Sequence, residues 1–129
     1  MKKYIKINEK EISFSKMNKK INQKDFEESL MSQIKKDLSR YKMYINDINI
    51  SLTGEEYIDM MQGRTLLEEE IIKLNKNKNI KYFQKTLDEL DQQFKAQKDT
   101  LIKKFGDLTE LSSAPKKQWW NHLKTYNSK

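Results

Sequence analysis

Two apolar series dominate this chain: Tyr57, Met60, Arg64, Leu67, Ile71 and Leu74, then Ile80, Phe83, Leu87, Leu90, Phe94, Gln97 and Leu101. Both advance in alternating steps of three and four, the repeat that keeps one stripe of an α-helix turned toward a neighbour. Only the polar stretch Asn75-Lys76-Asn77-Lys78-Asn79 separates them. So short a loop makes the helices antiparallel neighbours and sets Leu67 opposite Leu87, Arg64 opposite Leu90 and Met60 opposite Phe94. At about 1.5 Å per residue, each arm is roughly 30 Å long.

The ends of this hairpin carry their own signals. Thr53-Gly54-Glu55-Glu56 is a capping box, in which a threonine hydroxyl and a glutamate three residues on satisfy each other's backbone N–H groups. Gly106 stands where a helix C-cap needs a residue tolerant of positive φ. The expected coiled-coil-like hairpin therefore covers about 53–76 and 79–105. Two positions break its apolar seam: Arg64 is expected to reach Asp88 or Asp91, and Gln97 to meet the Tyr57 hydroxyl. Gly63, costing about 1 kcal/mol against alanine inside a helix, suggests close backbone approach or a kink.

Upstream, Phe26, Leu30, Ile34, Leu38, Tyr41 and Ile45 recur every three or four residues, giving an amphipathic helix over about 22–45 with Asn22 as its cap. Before it, Ile5, Ile7, Ile12 and Phe14 alternate around a polar turn as a small β-hairpin would. Ile48, Ile50 and Leu52 offer a third strand at 48–52, which an otherwise marginal hairpin needs. A basic N-terminal arm is the rival reading. The expected fold class is mostly α (α+β), with the helical hairpin packed against the amphipathic helix: a single domain over 1–129 with a basic β-hairpin or arm at 1–21, a helical body at 22–106 and a basic aromatic tail at 107–129.

That tail holds both tryptophans. Pro115 near a first helical position suggests a short aromatic helix carrying Trp119, Leu123 and Tyr126 on one face. Rings of this size either fold back as a lid over the helices or dock on a partner. Trp119, Trp120, Leu123, Tyr126 and the seam residue Arg64 are the candidate partner-binding residues. Base stacking and an interfacial membrane anchor are further options for the tail.

Charge narrows the function. The chain is net +7, from 24 lysines and two arginines against 19 acidic groups. Residues 1–24 carry eight basic and two acidic groups, and residues 25–60 carry four and eight. Lys2, Lys3, Lys6, Lys16, Lys19, Lys20, Lys116 and Lys117 are the candidate nucleic-acid contacts, of a loose phosphate-attracting kind, because base readout calls on arginine. Abundant Lys, Asn and Ile without a single Val is also what AT-rich coding produces, whatever the protein does. The acidic stretch around Asp25, Glu27, Glu28 and Asp37 is a candidate mimic of phosphate charge.

Chemistry finds little footing. There is no cysteine, and His122 stands alone as the one histidine, with no carboxylate beside it in sequence. Glu68-Glu69-Glu70 and Asp88-Glu89 with Asp91 could face each other across the hairpin; a solvated helix face is the ordinary reading, an oxygen-only magnesium site the other, and a di-iron bundle would need two Glu-x-x-His units that this chain lacks. The isolated glycines form no phosphate loop. No catalytic residue, cofactor or metal is expected, and no apolar run approaches the roughly 20 residues of a membrane span. Absence of a signal-peptide core points to a cytoplasmic or phage-packaged location rather than secretion. The expected function is a non-enzymatic interaction or assembly protein, of the kind phages and mobile elements of AT-rich bacteria encode, with a protein partner or a second copy. Alternatives are a small phage-encoded inhibitor of a host defence nucleoprotein complex and a lysine-driven nucleic-acid accessory protein.

One substitution separates core from contact face. If the seam is intramolecular, Leu87→Ala costs on the order of 2–5 kcal/mol, read as a fall in the urea or thermal midpoint of the isolated chain. A partner-facing Leu87 would leave that midpoint unchanged.

Overall fold

A computed structural model describes residues 19–74 and 77–126, with side chains from Gln23 onward. Four helices pack against one another: α1 (Lys19–Asp47), α2 (Gly54–Leu74), α3 (Ile80–Ala96) and α4 (Lys98–Phe105). A 3-10 turn at Gly106–Thr109 and another at Trp119–Asn121 follow in the tail. No helix among the described residues is long and apolar enough to cross a membrane.

The seam residues are the core. Tyr57, Met60, Leu67, Ile71 and Leu74 of α2 and Phe83, Leu87, Leu90 and Phe94 of α3 are buried, with Leu101 of α4 continuing the line. The hairpin packs with the upstream helix, as the expected fold has it. α1 packs along α2 more extensively than α3 does, and also touches α3, so the bundle is three-helical. Ile34, Leu38, Tyr41 and Ile45 of α1 enter the same core. Two helices with apolar stripes wider than a coiled-coil seam leave apolar surface wet, and a third helix covers it. Leu87 belongs to this interior, where its truncation leaves a cavity. The first turns of α1 run past the bundle, which leaves Phe26 about half exposed.

Caps behave as their chemistry requires where they are local. Thr53 N–H donates to Glu56 Oε1 at 2.9 Å and Glu56 N–H donates to Thr53 Oγ1 at 3.1 Å, the reciprocal capping box. Gly106 ends α4 at φ 51°, a conformation that favours glycine. Asn22 is not a cap, because the helical backbone already runs from Lys19 and places it within the first turn.

Four further expectations change. Residues 48–52 form no strand: Ile48 and Leu52 are buried while Ile50 is exposed, a spacing of four that a tight turn meets and a strand, with its period of two, does not. Ser51 and Leu52 N–H groups both donate to the Asp47 carbonyl, at 3.1 Å, folding α1 back onto α2. The 4–14 β-hairpin lies outside the described residues, among which there is no strand, only an isolated antiparallel bridge between Glu110 and His122.

The long second arm breaks at Gln97, whose N–H donates to the Phe94 carbonyl three residues back. Gln97 does not meet Tyr57. Its Oε1 accepts from Asn49 Nδ2 at 3.2 Å, tying the bend to the α1–α2 turn, while Tyr57 stacks on Phe105 with ring centroids 4.9 Å apart and its hydroxyl finds no partner among the described residues.

The tail forms no aromatic helix. Trp120, Asn121, His122 and Leu123 are all buried, and four consecutive residues cannot face inward from a helix that turns about 100° per residue. A 3-10 turn, the single bridge residue His122 and a turn over 123–125 let each reach the bundle in turn.

Gly63 has neither a close neighbour nor a kink to justify it: a methyl group there would meet nothing within 4 Å. Gly63→Ala should therefore stabilise the chain by about 0.5–1 kcal/mol, seen as a raised thermal midpoint. A lower midpoint would mean that the position needs glycine after all.

Candidate functional site

Helix α2 is apolar on two sides. One side is the core seam; on the other, Ile58, Met61, Thr65 and Leu66 follow at helical spacing and face the tail. Between them lies a largely apolar groove of about 770 Å³, whose opposite wall is Leu108, Leu111, Ala114 and Pro115. Ile58, Leu66, Leu108 and Leu111 are each between 43% and 50% exposed. The groove exists because the tail is pinned to the helices at two points and to itself at a third.

The first pin is a buried ion pair. Arg64 Nε and Nη2 donate to the two oxygens of Asp91 at 2.9 and 2.8 Å, and Nη1 donates to Glu68 Oε1 at 3.1 Å. Tyr41 O–H donates to Asp91 Oδ1 at 2.7 Å, so α1, α2 and α3 meet on one carboxylate. Arg64 and Asp91 are only 4% and 5% exposed. Burial alone would push the guanidinium's pKa down, but the hydrogen bonds and charge of Asp91 more than reverse it. Burial first, then the Asp91 charge, drives the Tyr41 phenol well above its ordinary range, so it stays a donor. The guanidinium carbon lies 4.0 Å from the centroid of the Trp120 ring, a cation–π contact that draws the tail onto the bundle.

The second pin is Trp120 Nε1, which donates to Thr65 Oγ1 at 2.9 Å while that hydroxyl donates to the Met61 carbonyl at 3.1 Å. The third is His122. Its Nδ1 lies 2.6 Å from Glu110 Oε2 and its Nε2 lies 2.9 Å from the Ala114 carbonyl, so both ring nitrogens meet acceptors and both must carry protons.

The Glu110 hydrogen bond raises the imidazole's pKa against the opposing effect of burial, and the same bond lowers that of Glu110. A raised imidazole contributes stability fully below its unfolded value and loses it as pH rises through the folded one; a lowered carboxyl contributes above its unfolded value and loses it as pH falls through the folded one. The pair holds the tail best between about pH 4.3 and about pH 6.5. Its carboxylate is close in space though twelve residues away in sequence.

The structure separates the candidate residues. Arg64, Trp120 and Leu123 are interior, whereas Trp119 and Tyr126 are partly buried side by side, with Lys95 Nζ 4.5 Å from the Trp119 ring centroid. Arg64 takes Asp91 of the two aspartates suggested for it. Lys116 and Lys117 are exposed on the tail turn, Lys19 and Lys20 open α1, and Lys2, Lys3, Lys6 and Lys16 lie outside the described residues. Of the acidic stretch, Glu27 is occupied by Gln23 and Asn77, and Asp37 is turned toward α2. Among the described residues no three His, Asp or Glu side chains are grouped to hold a metal ion. Ile58, Leu66, Leu108 and Leu111 escaped the sequence reading, although Ile58 and Leu66 were visible as apolar residues one step off the seam.

The chain matches no protein-family model, no curated protein and no solved structure.

Removing one member of the central pair strands the other. Asp91→Ala should lower stability by about 3–5 kcal/mol in urea unfolding, whereas replacing both partners, Arg64→Met with Asp91→Leu, should cost far less. Equal losses for the single and double variants would mean that the pair is not coupled.

Proposed function

We propose that this chain works by binding rather than catalysis, as a component of a larger assembly, and that its contact face is the groove between α2 and the tail. The observation that supports this reading is the cluster of Ile58, Leu66, Leu108 and Leu111, half exposed and facing one another across a concave surface. Single exposed apolar residues are ordinary on a protein surface, but a concave group of them is typical of interaction sites.

The shape favours one kind of occupant. Ile58, Met61, Gln62, Thr65 and Leu66 stand at positions i, i+3, i+4, i+7 and i+8 of α2. Ridges of that pitch accept the ridges of another helix, and the tail closes the second wall, so the groove suits the apolar stripe of an amphipathic helix from a protein partner. The composition makes a phage particle or mobile-element complex the setting in which to seek it. Of the readings that the sequence supports, this one has a concave apolar surface behind it, whereas the inhibitor and nucleic-acid readings rest on charge.

The test uses Leu66→Lys with Leu111→Lys. Both side chains are half exposed, so the thermal midpoint should stay within the shift expected of about 0.5 kcal/mol per surface substitution. Panning a library of displayed amphipathic helices against the whole chain should enrich sequences with apolar anchors at i, i+3 or i+4, and i+7. That enrichment should vanish on the double variant. No enrichment on the unaltered chain, or equal enrichment on both, would sink the proposal.

A further inference from the structure

On the face of α2 turned to α1, two carboxyl groups meet. Asp37 Oδ2 of α1 and Glu70 Oε1 of α2 are both shut off from water, neither has a donor among the described side chains, and the two carboxyl groups face each other across the seam. The other Asp37 oxygen, Oδ1, accepts from Gln33 Nε2 at 3.0 Å. Two carboxylates hold only acceptors, so a hydrogen bond between them requires a proton on one. We propose that Asp37 and Glu70 share a single proton across the α1–α2 seam and act as a pH-responsive clasp, closed while the proton is held and loosened when it leaves to water.

The surroundings agree with this arrangement. Burial, and after it the hydrogen bond and charge of Asp37, push the Glu70 carboxyl up to about 7; Lys73, one turn on, pulls the other way, and Glu69 adds to the rise. Arg40 of α1, one turn beyond Asp37, reaches Asp59 instead, at 3.7 Å. From α3 the buried charge is Asp91, already taken by Arg64 and Tyr41. A like-charged pair without a neutralising partner holds its proton unusually late.

The direction of the pH response follows. The unfolded chain loses the Glu70 proton near pH 4.3, whereas the folded chain keeps it to about 7, so the folded state binds more protons between these values. Stability therefore falls as pH rises across that interval and levels off above it. The clasp lies on the α1 side of α2, and neither of its carboxyl groups lines the groove.

Two measurements on the full chain test it. In a carboxyl carbon NMR titration, the Glu70 resonance should shift with a midpoint near 7, moving toward the ordinary carboxyl range in Asp37→Asn; a midpoint near 4.3 in the unaltered chain would overturn the proposal. Thermal melts of Glu70→Gln supply the second. Glutamine keeps a donor for Asp37 at every pH, so the variant's Tm minus that of the unaltered chain should grow by roughly 5 °C between pH 5 and pH 8. His122 is present in both proteins and cancels in the difference. Melting curves that move in parallel across this range would equally refute the clasp.

Discussion

Arg64 and Asp91 sit where α2 and α3 come together, and their charges are paired because neither has water to stabilise it. Withdrawing an ion from water costs several kcal/mol, and only a close counter-charge with its remaining hydrogen bonds filled offsets that cost. Here the two bonds between them are supplemented by Glu68 on one side and Tyr41 on the other. A buried ion pair adds little to stability compared with an apolar pair of equal volume. Its effect is on specificity: sliding α3 by one turn along α2 would leave two charges unpaired in the core. Because Tyr41 donates to the same carboxylate and Trp120 lies over the same guanidinium, that penalty reaches α1 and the tail as well.

The groove is a consequence of this anchoring. Trp120 is held by the guanidinium from one direction and by Thr65 from the other, which fixes the tail along the outer side of α2. The bridge between Glu110 and His122 then closes the loop 111–121 and turns Leu108 and Leu111 toward Ile58 and Leu66. A tail built of successive turns serves this purpose better than a helix would, since successive residues must all point inward. Of the charged groups lining the groove, Glu110 binds His122 and Thr125, while Asp107 stays fully exposed at its rim. What the groove offers a partner is therefore mainly apolar surface.

α2 is central to all of this because its faces have different duties. Its seam carries the core and Arg64, its outer side forms the groove, and toward α1 it presents Glu70 to Asp37. Gly63 lies on the α1 side, beside Tyr41 and Tyr44, with room for a methyl group.

Local rules accounted for much of the architecture before any tertiary contact was considered. The three-and-four spacing of Leu67, Ile71, Phe83, Leu87 and Leu90 identifies buried faces because a helix's periodicity is a property of its own backbone. The Thr53–Glu56 box and Gly106 mark ends for the same reason, each needing partners within a few residues. What escaped this reading depends on groups distant in the chain. That Asp91 rather than Asp88 answers Arg64, that Tyr41 joins them, and that His122 finds Glu110 are set by lateral packing, for which spacing along one helix carries no information. Ile58 and Leu66 look like ordinary surface residues until the tail's path brings Leu108 and Leu111 opposite them. That path is chosen by the desolvation of Arg64 and the burial of Trp120, energies that arise only when the whole chain is folded.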